Sequence, residues 1–507
     1  MNTTMKQHPF HILLLLLALA AAAPAQPLTT STPEEQGVAS SAILAFVQAL
    51  EKEVDAPHGF VLLRHGQTIA QGWWAPYEQR APHILYSLSK SFTSTAIGLL
   101  ADEGKLDIDD PVISFFPDDA PKNPSDNLKA MRIRDLLTMT TGHAQDTIGK
   151  VAQGGDDNWA RSFLAIPVDK RPGTYFVYNS GASYMLSAIV HKVAGKPALD
   201  LLNERLFKPL GIEKATWDAD PKGVNVGGWG LSITTGDIAK LGQLYLQKGV
   251  WNDQRILSEA WVRLATSPQT ANGTNPQSDW NQGYGFQFWR CRNGAYRGDG
   301  AFGQFCVVMP EQDMVLAITA GQGDMQKSLN LVWQHLLPGV KAQSMPPDGA
   351  SRQALAKKLA TLAHPAVKGE AASALAGKVN GKPFTLDANP AGIKTVTFEF
   401  KNDASIVVIQ TDQGEQKFDL GSGEWKKSTV PFHKLGLSAA ATSRSEPVAA
   451  SGAWTAADHF AARAWLTETP FRLDMEFTFD AAGKAVTVST RLHPLQGKAV
   501  TIKGTVR

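Results

Sequence analysis

The chain has 507 residues, of which 43% are hydrophobic and 19% charged. That composition is globular, with apolar material for a large core and room for more than one domain. Its 49 basic and 47 acidic residues leave a formal net charge of +2. No Lys/Arg cluster stands out, so a nucleic-acid partner has no electrostatic support.

Ile12 to Ala20 form an apolar run, ILLLLLALA, behind Lys6. The run is too short to span a bilayer comfortably, and Ala23-Pro24-Ala25 offers a cleavage site before Gln26. Residues 1–25 therefore read as a secretory signal, the alternative being an uncleaved anchor. A periplasmic or secreted protein with no stable membrane span after signal removal is expected. Residues 26–345 follow as a first domain. Ser40 to Val54 has helical periodicity, and Phe60 to Trp74 reads as a hairpin turning at Arg64-His65-Gly66-Gln67. Helices dominate to about Gln247. Strands return in YGFQFWRC, FCVVMP and MVLAIT between Tyr284 and Thr319, and Gln326 to Leu337 closes with a helix. Strands at both ends with helices between them predict one mostly antiparallel sheet assembled from both termini of the domain.

Met345-Pro346-Pro347-Asp348-Gly349 is linker-like. Residues 346–365 are expected to be this linker and a short helix, Arg352 to Ala363. Residues 366–507 are β-patterned. Phe471, Leu473, Met475, Phe477 and Phe479 alternate with polar residues, and Val486, Val488 and Leu492 continue the period of two beyond a turn at Asp480 to Lys484. A separate β domain, sandwich or barrel, is expected. Because every proposed catalytic residue precedes the linker, a chain ending near 345 is expected to fold and hydrolyse. The two cysteines, Cys291 and Cys306, could pair in an oxidising compartment or remain buried thiols. With no His near them at ligand spacing they make no zinc site.

The sharpest chemical signal is Ser87-Leu88-Ser89-Lys90. Leu88, Phe92, Ala96, Leu99 and Leu100 form a helical stripe ending before Gly104. Ser87 thus opens a helix, and Lys90 lies one turn on, on the same face. A serine hydroxyl is a poor nucleophile until a nearby base takes its proton. A lysine in a dry cleft can have its pKa lowered enough to do so. Alone, this S-x-x-K pattern is weak and reads first as a capping serine with a solvated lysine.

Three other segments accompany it in order: Ile133-Arg134-Asp135-Leu136-Leu137-Thr138-Met139-Thr140-Thr141-Gly142, then Pro172-Gly173-Thr174-Tyr175-Phe176-Val177-Tyr178-Asn179-Ser180, then Gly228-Trp229-Gly230-Leu231-Ser232-Ile233-Thr234-Thr235-Gly236. Together they resemble the family of class C β-lactamases and related penicillin-binding proteins, which includes serine esterases and 6-aminohexanoate-dimer hydrolases. The likeness runs from about residue 33 to about 338. It implies an α/β fold of β-lactamase/transpeptidase type, an antiparallel sheet with flanking helices and a helical lobe, followed here by the C-terminal all-β domain. It also implies catalytic roles for Ser87, Lys90 and Tyr178, the phenol being flanked by an ammonium that would depress its pKa. Backbone N–H groups of Ser87 and Ala301 would form the oxyanion hole.

Two departures from the family pattern matter. Ser180 stands where the family most often has Asn, and a hydroxyl reaches less far than an amide. The usual K-T-G or H-x-G becomes Tyr296-Arg297-Gly298-Asp299-Gly300-Ala301. In the preferred register Gly298 occupies the cation's slot and Gly300 the glycine's, and strand alternation turns Arg297 and Asp299 away from the site. Ser180, Gly298, Asp299, Gly300 and Ala301 are the substrate-side residues of this reading. His83 and His143 are read as structural rather than as triad histidines. The expected activity is an exported serine hydrolase acting through an acyl-enzyme on small esters, linear amides or peptides, with no metal or organic cofactor. Alternatives are a β-lactamase or D-Ala-D-Ala peptidase and, of another class, a catalytically silent ligand-binding or sensor protein. Oligomeric state is not legible.

Overall fold

The first hairpin forms where turn chemistry requires it. Pro57–Arg64 (β1) and Gln67–Trp73 (β2) are joined by His65 and Gly66, with φ of 47° and 75°. Two consecutive left-handed residues match the twist of a tight hairpin. The computed structural model describes residues 28–401, 404–432, 444–495, 497 and 499–506, so the signal-like segment 1–25 lies outside the described residues. The other strands of the sheet come from far along the chain: Trp289–Arg290 (β3), Tyr296–Gly300 (β4), Gln304–Met309 (β5) and Met314–Ala320 (β6). The order is β2-β1-β6-β5-β4-β3, antiparallel throughout.

Every residue of β1, β4, β5 and β6 is buried, because both faces are covered. The principal helices are Ser40–Glu53 (α1), Ser89–Asp102 (α2), Ser180–Ala194 (α3) and Thr235–Leu246 (α4). Phe46 and Leu50 of α1 share a core with Phe60, Leu62, Phe305 and Ile318. On the opposite face Val61, Leu63, Val308 and Val315 join α2, α3 and α4 in the larger core. Cys291 and Cys306 fall in these two different clusters as buried free thiols. The YGFQFWRC run yields only the short β3. Gln287 takes φ 61°, and a Cβ on Gly285 would collide with the Ala265 carbonyl, so this segment is pinned by backbone packing rather than by a ladder.

The linker helix, Gly349–Leu359 (α5), belongs to this body. Leu355 and Leu362 enter the α1 core, Lys358 pairs with Glu51, and Leu362 fills the space a side chain on Gly72 would need. A cut at 345 would therefore uncover apolar surface on α1 and β2.

The C-terminal domain is a barrel. Its strands are Phe384–Leu386 (β7), Ile393–Phe400 (β8), Ala404–Thr411 (β9), Gly414–Gly421 (β10), Lys426–Phe432 (β11), Arg444–Ala456 (β12), His459–Leu466 (β13), Arg472–Phe479 (β14), Ala485–His493 (β15) and Val500–Val506 (β16). The order β10-β9-β8-β7-β16-β15-β14-β13-β12 closes where Gly421 of β10 pairs with Ser451 of β12, making a nine-stranded ring, and β11 adds to β12. The alternation read between Phe471 and Val488 is its inward face. Met475, Phe477, Phe479, Val486 and Val488 are buried with Phe398, Phe460 and Trp454.

Candidate active site

Three elements carry the site. Tyr86–Leu88 form a 3-10 turn that leads into α2. That helix is buried along nearly its whole length, and its small hydroxyl residues make this affordable. Ser91 Oγ donates to the Gln287 carbonyl (3.0 Å), Thr93 Oγ1 to the Gly227 carbonyl (2.7 Å), and Ser89 Oγ accepts from Leu231 N–H (3.2 Å). Buried hydroxyls with partners cost little, and their small size lets neighbouring backbone approach.

Lys90, 1% exposed, points back along the helix to Ser87. Its Nζ lies 3.2 Å from Ser87 Oγ and 3.3 Å from Ser180 Oγ, and donates to the Gly228 carbonyl at 2.7 Å. Burial lowers the Lys90 pKa to about 8, against the opposing fields of Asp146 and Asp299. An amine so placed is neutral in a useful fraction near neutral pH, as a base must be.

Tyr178 is placed by the segment before α3. Asn179 caps that helix, accepting from Gly181 N–H at 3.0 Å, and also accepts from Thr147 N–H and Oγ1 (3.1 and 2.8 Å). The Tyr178 ring stacks on Trp289 with centroids 5.4 Å apart, and Lys90 Nζ sits 4.8 Å from its centroid. The Ser87 hydroxyl is near enough to favour the ionised phenol. The Tyr178 pKa is raised, not depressed as expected. Burial dominates, Asp299 adds to it, and the Ser87 hydroxyl opposes. Dry surroundings and a nearby carboxylate outweigh the lysine, so Tyr178 is a neutral phenol that can donate.

Gly298 and Gly300 face the nucleophile helix. A Cβ on Gly298 would collide with Leu88, and one on Gly300 with the Leu85 carbonyl, so β4 abuts the turn that bears Ser87. Arg297 and Asp299 share the other face. Strand alternation predicts that this face turns away from the site, but it looks onto Trp289, the stacking partner of Tyr178. Asp299 acts electrostatically on both Lys90 and Tyr178. Arg297, 0% exposed, is committed to Asp299 (Nε to Oδ2, 2.9 Å), donates to the Asp279 carbonyl (2.6 Å) and lies over Trp280. Ala301 follows at the end of β4, its carbonyl held by Gln304 Nε2 (3.0 Å).

Asp146 was not singled out in the sequence, and Gly228 only as the start of its motif. Asp146 Oδ1 accepts from Ser180 N–H at 2.9 Å and adds to the field at Lys90. Gly228 acts through its carbonyl, which leaves no side-chain signature. His83 bonds His58 at 3.1 Å and His143 bonds Thr141 Oγ1 at 2.9 Å. Burial lowers the pKa of each to about 4.

Residues 46–335 match the Beta-lactamase family. The chain belongs to that family. The family's fold accounts for the sheet and the helical lobe. The 6-aminohexanoate-dimer hydrolase of Paenarthrobacter ureafaciens is 26% identical over 56% of this chain and 78% of its own length. Penicillin-binding protein 4 of Amycolatopsis lactamdurans is 27% identical over 51% of this chain and 77% of its own. The solved octameric penicillin-binding protein homologue from Pyrococcus abyssi aligns over 91% of this chain and 99% of that one, with 16% identity and a TM-score of 0.47. No helix among the described residues is long and apolar enough to cross a membrane.

Proposed function

We propose that this chain is an exported serine hydrolase that acts on small neutral esters or linear amides through an acyl-enzyme on Ser87. The observation that carries the reading is Lys90 Nζ, buried and 3.2 Å from Ser87 Oγ, with its pKa lowered to about 8. Ser87 Oγ adds to the substrate carbonyl carbon as its proton passes to Lys90. The carbonyl π pair moves onto oxygen, where the N–H groups of Ser87 and Ala301 receive it. Collapse expels the leaving group, which takes a proton from Tyr178, and the phenolate is reprotonated from Lys90. Water then attacks the ester by the same route in reverse and releases the acid. Ser180 bridges Lys90 and Asp146 and keeps the amine aligned.

The preference for neutral substrates rests on Arg297. The one guanidinium on β4 is fully buried in its pair with Asp299, and Gly298 offers no cation. A penicillin carboxylate would lack a charge-assisted bond of about 1.5–3 kcal/mol. Labelling with a fluorophosphonate, followed by peptide mapping, tests the nucleophile, and modification at Ser89 or Ser91 instead of Ser87 would sink it. Side-by-side kcat/KM on p-nitrophenyl acetate and nitrocefin, corrected for intrinsic reactivity, tests the substrate class.

A further inference from the structure

Phe471 of the barrel packs against both residues that flank the proposed oxyanion donors. Phe471 lies between β13 and β14 and is 5% exposed. Its ring closes a triangle with Tyr86 and Phe302. The centroids are 5.5 Å apart for Phe302–Phe471, 6.4 Å for Tyr86–Phe471 and 5.3 Å for Tyr86–Phe302, all edge-to-face. Tyr86 directly precedes Ser87, and Phe302 directly follows Ala301. Both hold left-handed backbone, with φ of 48° and 69°, a conformation that bulky side chains adopt only where their surroundings impose it. Both also pack on the barrel's own hydrophobic core.

The neighbouring chain is tied down as well. Ile84 N–H donates to the Glu468 carbonyl at 2.9 Å, and Tyr77 Oη to the Thr469 carbonyl at 3.3 Å. The Pro470 carbonyl occupies the space a Cβ on Gly321 would need. Gln322 N–H donates to the Phe302 carbonyl at 3.1 Å.

From this packing we infer that Phe471 is a positioning residue for acyl transfer: by packing its ring against both Tyr86 and Phe302, the barrel holds that pair in place and with it the spacing of the Ser87 and Ala301 N–H groups. The inference rests on the proposed roles of those two donors. Donors aimed at a developing oxyanion lose most of their effect when misplaced by about an ångström. Edge-to-face rings hold geometry that an aliphatic side chain of similar volume does not. The barrel is then a structural part of the oxyanion hole and not an appended module.

The test uses the full-length protein and its Phe471→Ala, Phe471→Leu and Phe471→Tyr variants on a p-nitrophenyl ester. Phe471→Ala is expected to lower kcat ten- to a hundredfold with KM within about twofold of wild type. Affinity for an alkyl boronic acid, a mimic of the tetrahedral state, is expected to weaken by the same factor. Phe471→Tyr, which keeps the ring, should restore most of the loss. A Phe471→Ala enzyme with wild-type kcat and boronate affinity overturns the inference. Should that variant not fold, Phe471→Leu decides: a kcat loss of at least about threefold at unchanged KM supports the inference, and none overturns it. A wild-type protein inert to esters, amides and fluorophosphonate would overturn the hydrolase reading and this one together, whereas an active wild type beside a Phe471→Ala enzyme with wild-type kcat and boronate affinity overturns this one alone.

Discussion

The shortest contact of Lys90 goes not to the serine it would activate but to the carbonyl of Gly228, at 2.7 Å against 3.2 Å for Ser87 Oγ. A carbonyl accepts from either protonation state of an amine, so this bond fixes where the nitrogen sits without demanding that it be charged. The burial that lowers its pKa to about 8 can then leave the lone pair directed at the serine.

The pH dependence follows with a definite sign. Lys90 must be neutral to accept the proton, and it is protonated below its pKa of about 8. The kcat/KM for a neutral ester should rise roughly tenfold per unit below that value and level off above it. Tyr178, whose pKa is raised, should add no falling limb up to about pH 10. A flat profile from pH 6 to 9 would remove Lys90 as the base.

Tyr178→Phe keeps the stack on Trp289 and removes only the hydroxyl. It should lower kcat roughly a hundredfold or more, the scale of a lost general acid, with Tm within a few degrees of wild type. Near-normal turnover would reduce Tyr178 to packing.

Lys90 should also lower stability. Its ordinary pKa of 10.5 falls to about 8 in the fold, so at pH 7 the buried charge costs about 3 kcal/mol. The cost is full below about pH 8 and fades as pH approaches 10.5, where the unfolded chain also loses the proton. Lys90→Met, an apolar side chain of similar length, should therefore abolish turnover and raise Tm at pH 7, with a smaller gain at pH 9.5. A lower Tm at both pH values would show that the three hydrogen bonds of Lys90 outweigh its charge.

Arg297→Ala leaves Asp299 buried without its cation, a loss of about 3–5 kcal/mol. The expected result is a lower Tm and a similar proportional loss on ester and nitrocefin. Selective loss of nitrocefin hydrolysis would mean that Arg297 meets the substrate carboxylate.

Sequence reading reached the elements whose signals are local. The hairpin at His65-Gly66, helix α1 and the alternating strands β14 and β15 all carry their own periodicity or turn residues. The pairing of Ser87 with Lys90 was legible because only three residues separate them, Ser87 in the 3-10 turn and Lys90 at the start of the helix it leads into. The field at Tyr178 was not: it depends on Asp299, brought up by a strand more than a hundred residues later. Asp146 escaped for the same reason, since it meets Ser180 only through the cap that Asn179 builds on Thr147. The docking of α5 on α1 was hidden by its Pro- and Gly-rich approach, a composition shared by free linkers and by the lead-in to a packed helix.

Strand β1 of the catalytic sheet has a timing problem. One side of β1 is covered at once by β2, but the other waits for β6, which begins about 250 residues later at Met314. At 5–20 residues per second the ribosome needs on the order of 10–50 s to deliver it. Throughout that interval an eight-residue edge with Phe60-Val61-Leu62-Leu63 in it stands open on the nascent chain. The sheet cannot close until nearly two thirds of the polypeptide exists, so a translation pause or early release before Ala320 would leave an aggregation-prone stub rather than a smaller working enzyme.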